Sequence, residues 1–175
     1  MKSRKGYLLL ESIVSLFVII ILSTSLYSIL MFCNEYKKVT EDKVELYEQS
    51  EEICLQINRL IENSKGIISI RDFSGNTIVG DNNSYIKVVS VKCKYRDEYN
   101  NVKDKEISFK NNNKLFINTL NSSGNSEVGG YEIGDYVKFL SIKKDKNKIS
   151  VKISLFKNNQ EYETEFHSYI RYSEL

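Results

Sequence analysis

The chain has 175 residues with a formal net charge of +2, no proline and no tryptophan. That balance excludes a polycation that neutralises a row of phosphates. Twelve tyrosines and eight phenylalanines among frequent Ile and Val exclude a disordered chain.

Lys2, Arg4 and Lys5 precede Gly6 and an apolar run that carries one acid, Glu11. From Ser12 to Asn34 no residue is charged. At 1.5 Å rise per residue those positions make a helix of roughly 34 Å, enough to cross a bilayer core of roughly 30 Å. A carboxylate at the membrane edge costs about 2.5 kcal/mol or more on insertion scales, so Glu11 calls for a partner or a function. A cut after Gly6 would leave Tyr7 as the new amino terminus. Glu11 would then be the fifth residue, one helical turn from a fresh positive charge.

The stretch Lys5-Gly6-Tyr7-Leu8-Leu9-Leu10-Glu11-Ser12 resembles the processing site of type IV prepilins and type II secretion pseudopilins. The resemblance implies cleavage by a membrane prepilin peptidase between Gly6 and Tyr7, N-methylation of Tyr7, and a role for Glu11 in assembly. Implied partners are that peptidase, other pilin or pseudopilin subunits and an inner-membrane assembly platform. Tyr7 and Leu8 depart from the family's usual Phe followed by Thr or Ser, while the glycine and the acid are kept. The plainer alternative is an uncleaved signal anchor bearing an extracellular binding domain, with Glu11 snorkelling to the lipid headgroups. The basic residues before the span and Glu35 after it predict an N-terminus in the cytoplasm and a head outside. The domain reading is a leader over 1–6, a transmembrane and assembly helix over 7–33, and a head over 34–175.

Beyond the span, Val39, Leu46, Tyr47, Ile53, Cys54, Ile57, Leu60 and Ile61 recur at spacings of three and four. They predict an amphipathic helix over 34–65 whose stripe is wide enough to lie on a sheet, with Gly66 as its stop. The period then changes to two. Val89, Val91, Cys93 and Tyr95 alternate with Ser90, Lys92, Lys94 and Arg96, a strand with one buried face. Ile107 and Phe109, then Leu115 and Ile117, flank Asn111-Asn112-Asn113 as a hairpin. Residues 121–130 read as a loop. Tyr136 to Ile142, a charged turn at 143–148, Ile149 to Leu155, a turn at Asn158-Asn159 and a strand from Tyr162 to Tyr172 complete the strand-rich part over 67–175. The fold class is α+β, a long N-terminal helix packed on an antiparallel sheet, as the pilin resemblance also implies. The closing strands, ending in Tyr169-Ile170-Arg171, are similar to the larger minor pseudopilins of the J type and the W type of pili.

No enzyme signature occurs, so no catalytic residue and no cofactor is expected. His167 lies on the charged face of the last strand and reads as a solvated histidine. Asp72, Asn76, Asp81, Asn82 and Asn83 offer oxygen ligands without the spacing of a calcium loop. Lys143, Lys144, Lys146 and Lys148 read as a solvated hairpin tip, so nucleic-acid binding is not indicated. Three cysteines behave by default as small apolar residues. The pairing open to test is a Cys54–Cys93 disulfide, with Cys33 reduced at the membrane boundary.

Overall fold

The computed structural model describes residues 3–95, 102–110 and 112–171. Arg96, Asn111 and Tyr172 of the expected strands and turn lie outside the described residues, as do Met1 and Lys2 of the leader. The chain forms two compact units, Met1–Glu41 and Asp42–Leu175. One helix, α1 (Ser3–Glu62), contributes to both.

In the first unit the helix is apolar on every side. Its described large apolar side chains are all exposed, from 38% at Val39 to 70% at Tyr7, so no face of this stretch is packed within the chain. The stretch is long and apolar enough to cross a membrane. Its hydroxyls turn back on the helix: Ser12 Oγ donates to Leu8 O at 2.9 Å, Ser25 Oγ to Ile21 O at 2.9 Å and Ser28 Oγ to Thr24 O at 3.0 Å. These polar groups therefore ask nothing of the surroundings, which is what a hydrocarbon environment demands.

In the second unit the remainder of α1 packs on an antiparallel sheet. Leu46, Ile53, Ile57 and Ile61 are fully buried and Leu60 nearly so, a stripe at steps of three and four. Val39 and Tyr47 of the expected stripe are instead exposed, although the Tyr47 ring meets Tyr162 edge-on at 5.9 Å. The stop is not Gly66, which opens the first strand. The helix ends at Glu62, where Ser64 Oγ donates to Ile61 O at 2.7 Å, the Tyr95 hydroxyl donates to Leu60 O, and Arg171 N donates to Glu62 O at 3.4 Å. Three carbonyls left over by the last turn are thus satisfied by the head itself.

Nine strands follow among the described residues: β1 (Gly66–Asp72), β2 (Thr77–Ile78), β3 (Ile86–Lys94), β4 (Lys105–Lys110), β5 (Lys114–Thr119), β6 (Tyr131–Gly134), β7 (Val137–Asp145), β8 (Lys148–Lys157) and β9 (Gln160–Tyr169). All pairings are antiparallel. The sheet forks at β3. Val88 pairs with Asp72 on one side and Leu140 on the other, while Ser90 pairs with Arg71 and Ser108. β4 and β7 therefore share the side of β3 opposite β1, and each carries its own leaf, β4-β5-β6 or β7-β8-β9.

Val89 lies at the fork, where the β1–β3 register shifts, and this corrects the expected face of β3. Val88, Val91 and Cys93 enter the core and Val89 is only half-buried, because the extra residue of a bulge turns the alternation over. The hairpin of β4 and β5 has Ile107 opposite Ile117 and Phe109 opposite Leu115. The β8–β9 turn at Asn158-Asn159 has φ of 46° and 65°, the left-handed pair that a two-residue hairpin requires. The expected charged turn over 143–148 is shorter than that span: Lys143 and Lys144 belong to β7 and Lys148 to β8.

Candidate functional site

Gly6, Tyr7 and Glu11 all lie within α1, so the expected cleavage bond is in helical backbone. Tyr7 and Glu11 are exposed, and Glu11 forms no ion pair or hydrogen bond with any described residue. Helical spacing places Leu8, Ser12 and Ser15 on the same face as Glu11, lining a shallow groove with it. Glu11 is thus a carboxylate without a counterpart among the described residues, on a stretch of α1 that has no packed face.

In the head, the start of the packed stretch is held by charge. Lys157 Nζ lies 2.5 Å from Glu45 Oε2 and 3.1 Å from Asp42 Oδ1, and Asn158 Nδ2 donates to Asp42 at 3.2 Å. The same ammonium lies 5.0 Å from the centre of the Tyr136 ring. Tyr136 has φ of 61°, an unusual conformation for a bulky residue, and is held by the Phe156 N–H donating to its carbonyl at 2.7 Å. The Lys157 bond holds both carboxyls below their ordinary values, and the Glu45 bond raises Lys157. Sequence pattern did not point to this cluster, because Lys157 and Asp42 are 115 positions apart in the chain.

The Cys54–Cys93 pairing is not formed; all three cysteines are free thiols. Both sulfurs do join the core, as the periodicity implied, but at different levels. Tyr95, two residues beyond Cys93, reaches Leu60, six residues and about 9 Å along the helix from Cys54. Cys54 instead interacts with Thr164 on β9, and β7 and β8 lie between that strand and β3. Burial pushes the Cys54 thiol up to about 11 and the Cys93 thiol up to about 12.

His167 is exposed and pairs in register with Ser150. The oxygen-rich residues do not converge. Asp72 accepts from Asn76 N at 2.8 Å across a turn, whereas Asn82 is buried and tied to β7, donating to Ile142 O at 3.1 Å and accepting from Lys144 N at 2.8 Å. Asn83 is exposed. Among the described residues no group of three or more His, Cys, Asp or Glu could hold a metal ion. Lys144 is not a free cation of a hairpin tip, since its ammonium lies 3.3 Å from Asp81 Oδ1.

The sequence reading also passed over Glu106 and Asn118, which are opposite each other on β4 and β5 with residues 8% exposed. By alternation with Ile107 and Ile117 both belong to the outer, solvent-side face. They are buried there because residues 121–130 fold over them, anchored by the Leu120–Ser126 bridge and by Glu127 N donating to Thr119 O at 2.7 Å.

No protein-family model matches the sequence, and no curated protein or solved structure is significantly similar to the chain. What stands is an α+β chain in which one long N-terminal helix packs its second part on an antiparallel sheet.

Proposed function

We propose that this chain is a structural subunit of a pilin-like filament, cut between Gly6 and Tyr7, methylated at Tyr7 and assembled through Glu11. The observation that carries the reading is an apolar helical stretch, exposed on all sides, whose one acid, Glu11, has no partner among the described residues. A helix apolar all round belongs in lipid or among other helices. Before assembly the span is in the cytoplasmic membrane, N-terminus inside and head outside. After cleavage it leaves the bilayer to pack among like helices, and the Glu11 carboxylate pairs with the Tyr7 ammonium of a neighbouring subunit. At low dielectric that pair is favoured because either charge left alone is costly.

Cleavage removes Lys2, Arg4 and Lys5, taking the formal charge from +2 to −1. The head would coat the filament as a minor subunit. Its Glu11 argues against the tip-most type of pseudopilin, which resembling proteins build without that acid. The machine could serve adhesion, DNA uptake or protein secretion. N-terminal peptide mass spectrometry on membrane and sheared-filament fractions tests the reading. The expected product begins at Tyr7 and carries one added methyl. Only intact Met1 chains, in cells that possess the peptidase, would overturn it in favour of an uncleaved anchor.

A further inference from the structure

The outer-face pocket of the head contains a charge that the described structure leaves unanswered. Glu106 is 8% exposed, and its one partner is the Ser126 hydroxyl, which donates to Oε2. No cation lies within ion-pair distance of it. Lys92, its register neighbour on β3, spends its ammonium on the covering loop instead, donating to Gly124 O at 2.7 Å. Glu106 Oε1 is not sealed off but opens into the cavity beside it, and a carboxylate so little exposed is ordinarily paired or bound to a cation.

Glu106 lines a cavity of about 450 Å³ between β4, β5 and the 121–130 loop. The charged groups on its walls are Glu106, Glu127 and Lys110, a net negative charge of one. Glu127 is answered by Lys103 Nζ at 2.6 Å, and the Lys110 ammonium lies over the Phe116 ring at 3.9 Å. Among the described wall residues Glu106 is thus the charge without a direct ion pair.

Acceptors dominate beside it. Asn118 spends its amide N–H on Ser108 Oγ at 2.8 Å, and its Oδ1 accepts no hydrogen bond. The wall is also shaped by a glycine. A Cβ on Gly130 would stand 1.8 Å from Asn118 Oδ1, so a larger residue would push the amide into the cavity.

We propose that this pocket binds one organic cation, an ammonium or guanidinium, whose N–H groups donate to Glu106 Oε1 and Asn118 Oδ1. A single buried carboxylate matches a single positive charge. A calcium ion would want six to eight oxygens and commonly more than one carboxylate, which the walls do not offer. The volume suits a group the size of an arginine or lysine side chain, supplied either by a free amine or by another protein.

The test is a titration of full-length ¹⁵N-labelled protein in detergent micelles, read at the amides of Ser108, Asn118, Ser126 and Gly130. The probes are ethylguanidinium, butylammonium, a glycine-flanked arginine peptide with its alanine control, and calcium. At least one of the first three should give saturable shifts confined to the pocket, weakened about 10- to 100-fold in Glu106→Gln, the loss expected for a charged buried hydrogen bond. Tighter binding of the arginine peptide than of ethylguanidinium would assign a protein side chain as the source, and equal binding a free amine. Calcium saturating where the organic cations do not, or shifts unchanged in Glu106→Gln, would overturn the proposal. Thermal melting gives an independent check. Ligand-free Glu106→Gln should melt at or above the parent temperature, because it removes an uncompensated charge. A clear fall would make Glu106 a structural group and remove the site.

Discussion

Residues 7–33 and residues 42–62 belong to one helix and close their backbone hydrogen bonds in the same way, yet their side chains obey opposite rules. In the first stretch apolar residues occupy every angle around the axis and every one is exposed. In the second they form a stripe, Leu46, Ile53, Ile57 and Ile61, and that stripe is fully buried between charged neighbours. Helix propensity does not separate the two. The angular distribution of apolar residues does, and it decides whether the partner is the chain's own sheet or something outside it.

The largest effect expected from breaking the contrast is at Glu11. Glu11→Ala leaves the leader and the span intact, so the variant should still insert and be cut at Gly6. On the proposed assembly it should be lost from sheared filaments, because the proposed inter-subunit charge pair is gone. Immunoblotting of sheared against membrane fractions reads this directly, and recovery in filaments at the parent level would sink the assembly role.

Next in size is the packed stripe. Ile53→Ala should lower head stability by about 2–5 kcal/mol, the cost of a large-to-small change at a fully buried position. Ile20→Ala, in the exposed stretch, should leave thermal unfolding of the head unmoved. Gly134→Ala attacks the same contact from the sheet. Its Cβ would lie 2.3 Å from Ile53 Cδ1, so overpacking of about 1–3 kcal/mol is expected. If Ile20→Ala destabilised the head as much as Ile53→Ala, the two stretches would not differ as described.

Cysteines mark the same contrast chemically. Cys33 is exposed, whereas Cys54 and Cys93 have thiols raised by burial to about 11 and about 12. In the folded protein at pH 8, iodoacetamide should label Cys33 first and Cys93 last, as followed by peptide mass spectrometry. The unfolded thiols ionise near 9.0 and the folded ones do not. Folding stability should therefore decline as pH rises from about 9 toward 12, and Cys93→Ala should lessen that decline. Equal labelling of all three cysteines would contradict the burial.

Much of this was legible from residue pattern, and the failures share a cause. The long helix, the Ile53-Ile57-Leu60-Ile61 stripe, the Ile107–Ile117 hairpin and the alternation of Tyr162, Thr164, Phe166 and Ser168 are local periodicities. Each survives because the neighbour it needs is close in sequence or offers a broad apolar surface. The turn at Phe73 to Asn76 between Ile70 and Ile78 was a readable hairpin signal that went unused, and β1 and β2 were missed with it. The Val89 bulge was not readable, because it lies where β3 passes from pairing with β7, distant in sequence, to pairing with β4, the next strand. Nothing in the local sequence marks Glu106. Only the fold-over of residues 121–130 buries it, and no local pattern ties that loop to β4.

The smallest expected effect concerns the charges that begin the packed stretch. Asp42 and Glu45 have carboxyls held below their ordinary 3.8 and 4.5 by the Lys157 bond. For depressed acids the contribution is present above the unfolded values and lost as pH falls through the folded ones. Lys157 is raised above its ordinary 10.5, chiefly by Glu45. Its contribution is present below that value and lost as pH rises through the folded one. These are the same contacts seen from the two sides, so they support a stability plateau between roughly pH 5 and pH 10 that sags at each end. Lys157→Met keeps the stem that packs near Tyr136 and removes the charge. It should lower stability modestly on the plateau and progressively less as pH falls below the ordinary 3.8 and 4.5 and through the depressed folded values, where the parent loses its carboxylates as well. Urea melts at pH 3.5 and pH 7 compare the two conditions, and raising salt to about 0.5 M should shrink the difference at pH 7, because partly solvated pairs are screened. A loss independent of both pH and salt would mean that Lys157 acts through its stem over the Tyr136 ring rather than through its charge.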